Sequence, residues 1–105
     1  DLVHDDSYAG TTEVKNEIVE YIGGTTTDER TIDGLGQGED VIVNEIENVA
    51  EDVTGVVAVT DSLVDAGGGT DDTTTDPDGV RIYDVDDRWV ATVDADEITV
   101  NTTAR

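Results

Sequence analysis

The side chains of this chain that could do chemistry are almost all carboxylates. Of 105 residues, 27 are Asp or Glu and five are Lys or Arg, with one histidine and no cysteine. Closely spaced oxygen ligands suit hard cations such as calcium, so the acidic clusters come first. The run "TTDPDG" carries Asp76, Asp78 and Gly79. With Gly79 as the turn glycine of an EF-hand loop, its first ligand would be Thr74 and its last Val85. That loop needs an Asp at the start and a bidentate Glu at the end, so the match fails. "DVDD" (Asp84, Asp86, Asp87) and "DADE" (Asp94, Asp96, Glu97) read as solvated turns. We therefore expect no dedicated metal site and no cofactor, with Asp76, Asp78, Asp84 and Asp86 as weak candidates for cation binding.

Other chemistry has less to stand on. His4 is the sole histidine, and without cysteine the nucleophiles reduce to Ser7, Ser62, threonines and carboxylates. Carboxylate pairs occur throughout, so none is singled out for acid–base work, and few large apolar residues exist to desolvate one. The glycine-rich "GLGQG" at 34–38 does not fit G-x-G-x-x-G and no Lys-Ser/Thr pair follows it. Asp33, Glu39 and Asp40 flank it and would repel a phosphate. The expectation is a turn, and a chain that is not an enzyme.

The net charge of −22 excludes two partner classes. DNA and anionic membrane surfaces both need a basic patch. No run approaches the roughly 18 apolar residues of a membrane-spanning helix. Three explanations remain for the acidity: tolerance of molar salt, mimicry of nucleic-acid phosphates to capture a basic protein, and divalent-cation binding. The first is favoured. At 1 M salt the Debye length is about 3 Å, so neighbouring carboxylates barely repel and hold salt cations in their hydration layer. An Asp/Glu-rich, Lys-poor surface over small β-branched residues resembles proteins of halophilic archaea.

The five cations are Lys15, Arg30, Arg81, Arg88 and Arg105. Most are expected to pair within the molecule. Arg81, Tyr83, Arg88 and Trp89 are expected on neighbouring strands as an interface patch, because Trp, Tyr and Arg are enriched at hot spots. The alternative for Trp89 is a core anchor.

The elements that must position these residues follow from apolar spacing. Val14, Ile18, Tyr21 and Ile22 mark one face of a first helix. Thr11 or Thr12 would cap it, and Gly23 and Gly24 would end it. Residues 25–38 read as a long loop. Val41–Val43 would be a short extended piece, with Asn44 and Glu47 forming a capping box for a second helix along Ile46, Val49, Ala50 and Val53. Gly55 would then turn the chain into a strand at 55–64. Residues 65–79 read as a solvated loop or hairpin tip. Strands are expected at 80–85, 89–93 and 97–102, with a further short strand at residues 2–4. The predicted class is α+β: two helices on one face of a small, mostly antiparallel sheet of three to four strands.

This order of elements carries a family resemblance. "VKNEIVEYI", the Gly38–Glu39 pair before a short strand, the helix at 45–53, Gly55-Val56 with Val59, and Ile98-Thr99-Val100 resemble the C-terminal region of baseplate J-like proteins. These are wedge subunits of contractile phage tails and related injection machines. The likeness covers roughly residues 11–101, and the loops at 25–35 and 65–79 are longer than the family pattern. It implies a single structural domain, excised from or C-terminal in a longer baseplate protein. Its partners would be other tail subunits or copies of itself. The setting would be a virion or tail-like particle assembled in the cytoplasm of a halophilic host. The alternative is a halophilic surface or adhesion module that binds divalent cations through Asp-rich loops.

Overall fold

A computed structural model describes residues 1–67 and 69–105. Gly68, inside the loop expected at 65–79, lies outside the described residues. The chain begins with β1 (Leu2–His4) and passes to helix α1 (Thr11–Ile22). Val14, Ile18 and Ile22 are buried along the expected stripe, joined by Val19. No threonine caps α1: Gly10 is the N-cap residue, with no side-chain cap bond, and Thr11 is already helical. The far end stops as expected at Gly23 (φ 98°), whose N–H still reaches the carbonyl of Val19 at 2.7 Å.

The stretch expected to be a plain loop at 25–38 contains a small hairpin, β2 (Gly24–Thr25) and β3 (Thr31–Ile32). Then β4 (Val41–Ile42) runs directly into α2 (Val43–Glu51). The expected Asn44–Glu47 capping box does not form. Val43 is fully buried and is itself the first helical residue, so Asn44 falls inside the helix. The Glu47 carboxylate instead accepts the Ser62 N–H at 3.4 Å. The two helices are tied at this point, because the Tyr21 hydroxyl accepts the N–H of Ile42 at 2.9 Å.

Past a turn at 52–55 the chain forms β5 (Val56–Val59), then β6 (Thr74–Thr75), β7 (Arg81–Tyr83), β8 (Val93–Asp94), a 3₁₀ turn (Ala95–Glu97) and β9 (Thr102–Ala104). The class is α+β, but the single sheet is replaced by three three-stranded ones: β5-β1-β9, β3-β2-β8 and β4-β7-β6. Antiparallel pairing dominates, while β1–β9 and β2–β8 are parallel. The expected strands at 89–93 and 97–102 shrink because a helical cap intervenes. The Asp94 carboxylate accepts the N–H of Asp96 at 2.9 Å, and the Glu97 carboxylate accepts the N–H of Asp94 at 3.0 Å. This capping box gives the acidic turn expected at "DADE" a helical form and extends it past Glu97, the expected start of the last strand.

The core is aliphatic: Leu2, Val14, Ile18, Ile22, Val41, Ala50, Val53 and Val85 form one buried cluster. Fully burying each Val, Leu or Ile contributes about 1.5–3 kcal/mol. The radius of gyration is 13.6 Å, close to the ~13 Å of a folded domain of this length. Among the described residues no helix is long and apolar enough to cross a membrane.

Candidate functional site

Of the four weak cation candidates, Asp76 and Asp86 are engaged locally. Asp76 sits at the β6–β7 turn, where one carboxylate oxygen accepts the N–H groups of Asp78 and Val80, both at 2.9 Å. That oxygen holds the hairpin tip, which is the role Asp commonly takes in turns. Asp78 and Asp84 point to solvent. Asp86 binds the Arg88 backbone N–H at 2.9 Å and the Arg88 side chain at 3.1 Å. The Arg88 guanidinium, then its backbone N–H, hold the Asp86 carboxyl below the usual carboxylate range. Among the described residues no three His, Asp or Glu side chains converge as a metal site.

The four expected interface residues do not form one patch on adjacent strands. Arg81 and Tyr83 share a face of β7, opposite the buried Ile82. Tyr83 packs against the core cluster. The Arg81 guanidinium donates to the carbonyl of Ser62, tying β7 to the segment after β5. Arg88 and Trp89 lie in the turn and loop after β7. Trp89 is no core anchor: it is 66% exposed, and Val90 beside it is 50% exposed. Two of the five cations, Arg30 and Arg88, make ion pairs, with Asp28 (2.9 Å) and Asp86 (3.1 Å). Both pairs are surface-exposed and contribute little stability.

The glycine-rich "GLGQG" segment has a mechanical partner in this turn. Gly38 N–H donates to the Trp89 carbonyl at 2.7 Å, and the Gln37 side-chain amide donates to the Asp87 carbonyl at 3.1 Å. Trp89 N–H in turn donates to the Asp86 carbonyl at 2.9 Å. The backbone carrying the exposed indole is thus braced from both sides. Sequence spacing gave no hint of this, since 37–38 and 87–89 lie far apart along the chain.

A second feature escaped the sequence reading. A cleft of about 480 Å³ opens over α1 and α2, floored by Val14, Ile18, Ile22, Ile46 and Ala50. One wall is Asp61–Asp65 and the other is Glu97–Asn101. Leu63, 56% exposed, stands on the first wall. The signal in the sequence is the alternation of Ile98, Thr99 and Val100, which reads as a strand whether or not it is paired.

His4 stacks on Tyr8 at 4.5 Å, and its Nδ1 donates to the Asp5 carbonyl at 3.0 Å. The Tyr8 hydroxyl is buried without a partner among the described residues, and burial raises its pKa. Compared with protein-family models, with curated proteins and with solved structures, the chain matches none.

Proposed function

We propose that this chain is a structural assembly domain that works by protein–protein docking in high salt, of the baseplate-wedge kind found in contractile tails and injection particles. The observation that carries the reading is the Trp89 turn: a large, exposed aromatic on a backbone fixed by the 36–38 loop. A pre-ordered aromatic loses little freedom when it docks, which is what makes such residues hot spots. The carboxylate shell supports the same reading from another side. In brine the charges are screened, apolar docking is strengthened and the particle stays soluble. The resemblance of residues 11–101 to baseplate J-like proteins adds the kind of assembly. The partners are neighbouring tail subunits or further copies of this chain, and the product is shape.

The test has two parts. The gene's neighbours are expected to include tail sheath and tube genes, and a neighbourhood of unrelated metabolic genes would overturn the assignment. In molar KCl, sedimentation of the chain with its neighbouring gene products is expected to show a complex that Trp89→Ala weakens by about tenfold or more, a typical hot-spot loss. Equal association of wild type and variant would remove Trp89 from the account.

A further inference from the structure

We infer that the cleft over the two helices is a receiving slot for an extended strand of a neighbouring subunit, laid end to end with β1. The inference rests on the assembly reading above and adds where, and by what chemistry, a partner enters. It starts from the register of the β5-β1-β9 sheet. Leu2 of β1 faces Thr102 of β9 in parallel, and the Leu2 N–H donates to the Asn101 carbonyl at 2.7 Å. The ladder stops there on the β1 side. On the β9 side the chain continues back through Val100 and Thr99 to Ile98, which is itself in extended conformation (φ −90°, ψ 121°). Ile98 and Val100 are half-buried toward the core and Thr99 faces out, the alternation of a sheet strand. Yet the backbone groups of Thr99 and Val100 make no hydrogen bond among the described residues. This is an unpaired strand edge beside an open apolar floor, the arrangement that accepts an added strand.

The opposite wall is held away from that edge. The Asp1–Thr60 pair closes the β1–β5 ladder, with reciprocal bonds at 2.8 and 2.9 Å. Asp61 then takes a left-handed conformation (φ 57°) and Arg81 grips the Ser62 carbonyl. The backbone of Leu63 also makes no hydrogen bond among the described residues. The cleft lies between the unpaired edge at Thr99 and a wall on which Leu63 stands unpaired between the bonded Ser62 and Val64.

Charge and pattern define the occupant. The floor is aliphatic, so alternate residues of the entering strand are apolar. The rim carries Asp1, Asp61, Asp65 and Glu97, with no Lys, Arg or His side chain among the lining residues. The outward residues are therefore Lys, Arg or neutral polar side chains, and an acidic strand is rejected. At molar salt the apolar contacts and main-chain bonds supply affinity, and the rim charges act only at contact distance.

The probe is a synthetic Val-Lys-Val-Lys-Val peptide with blocked ends, added to the intact chain in molar KCl. Saturable binding is expected, with amide exchange at Thr99, which lies on the same edge as Asn101, slowed by about tenfold, the effect of roughly one net hydrogen bond. A Val-Glu-Val-Glu-Val peptide should bind more weakly, by a margin that widens as KCl is lowered and the rim carboxylates are less screened. Thr99→Pro, at an exposed position whose N–H has no partner, removes the donor and should abolish peptide binding while circular dichroism stays native. Unchanged exchange at Thr99 with peptide present would overturn the slot, as would undiminished binding by the folded Thr99→Pro chain. The two readings can fail separately. Peptide binding by a chain that joins no neighbouring subunit keeps the slot and ends the assembly reading. Assembly that is indifferent to Thr99→Pro ends the slot and keeps the assembly.

Discussion

Two glycine-bearing stretches that look alike in sequence behave in opposite ways. Residues 23–38 hold five glycines and residues 65–79 hold four. In the first stretch every glycine but Gly36 is a place where backbone meets backbone. A Cβ on Gly24 would lie 1.8 Å from the Val93 carbonyl oxygen, and one on Gly34 would lie 2.4 Å from the Gly23 nitrogen. The end of α1 is clasped here: Leu35 N–H donates to the Ile22 carbonyl at 3.0 Å, and Val93 N–H to the Gly23 carbonyl at 2.9 Å. In the second stretch Gly67, Gly69 and Gly79 have positive φ, and a Cβ on any of them would meet nothing within 4 Å. There the glycines only let the chain turn, while carboxylates tie the turns: Asp65 to Gly67 N–H, Asp71 to Thr73 N–H, Asp76 to Val80 N–H. One stretch is a packing hub and the other is a solvated loop shaped by its own acids.

The sharpest way to break this contrast is to add a methyl group to each. Gly24→Ala cannot fit without moving β8 off β2, and we expect a loss of about 3–5 kcal/mol, most of a small domain's stability. Gly69→Ala meets only backbone strain, about 1–2 kcal/mol. Urea melts in molar KCl compare the two. Equal losses would mean that the first stretch is no hub.

A smaller effect tests the polar half of the hub. Thr26 is buried, donates to the Asp28 carboxylate at 2.6 Å and accepts the Arg30 N–H at 3.0 Å. Thr26→Val leaves that N–H without its hydroxyl acceptor and should cost about 1–3 kcal/mol. The Thr26 hydroxyl, then Arg30, holds the Asp28 carboxyl below its usual value. A depressed folded pKa gives stability that is present above the unfolded value and lost as pH falls through the folded one. Wild type should therefore lose this contribution below about pH 4, and the cost of Thr26→Val should shrink with it. A cost independent of pH would assign the whole effect to packing.

In the solvated stretch the matching experiment separates turn chemistry from cation binding. Asp76→Ala removes the acceptor for two turn N–H groups and should cost about 1 kcal/mol. Asp76→Asn keeps an acceptor and should stay within about 0.5 kcal/mol. Calorimetry with calcium in molar KCl should show no saturable heat for wild type. Stoichiometric binding lost in Asp76→Asn would convert the loop from a solvated turn into a ligand site.

The same contrast explains what could be read from residues alone. Helix α1, the α+β class and β5 were legible because Val14, Ile18 and Ile22 repeat with helical period and three of the four residues of Val56–Val59 are β-branched. The sheets were not, since pairings such as β1 with β9 join chain ends. Their strands are two to four residues long, too short for a period to develop. The start of α2 differs because burial of Val43 outweighs a weak capping preference, and the start of α1 because Gly10 stands at the cap position with Thr11 already helical, while the end of α1 at Gly23 was legible. At the candidate site, the unusual residues of the Trp89 turn were visible by type, but its brace was not. The cleft was invisible because an apolar alternation reads the same whether its strand is paired or waiting for a partner.

The smallest effect concerns which way a carboxylate is pushed in each region. Asp71 is held low by the Thr73 backbone and side chain, and Asp86 by Arg88. Glu17 on α1 is pushed up, first by burial and then by Glu20, Glu13 and Asp52. For Glu17 the charged form is disfavoured in the fold relative to the unfolded chain. Its ionisation therefore weakens folding above its folded pKa, and the penalty disappears once pH falls below the ordinary Glu range. Glu17→Gln should stabilise the chain at pH 7 by about 0.5 kcal/mol or less, the scale of a surface change, with no gain near pH 4. Asp71→Asn should do the reverse, weakening the chain at pH 7 and losing its effect in acid. Raising salt should shrink the part of the Glu17 gain that comes from neighbouring charges, since those are screened, and leave the part due to burial. Urea midpoints for both variants at two pH values and two KCl concentrations decide it. If the two substitutions shift stability in the same direction at pH 7, the acids of the packed half and of the loops obey one rule, and the division between hub and shell fails at its weakest point.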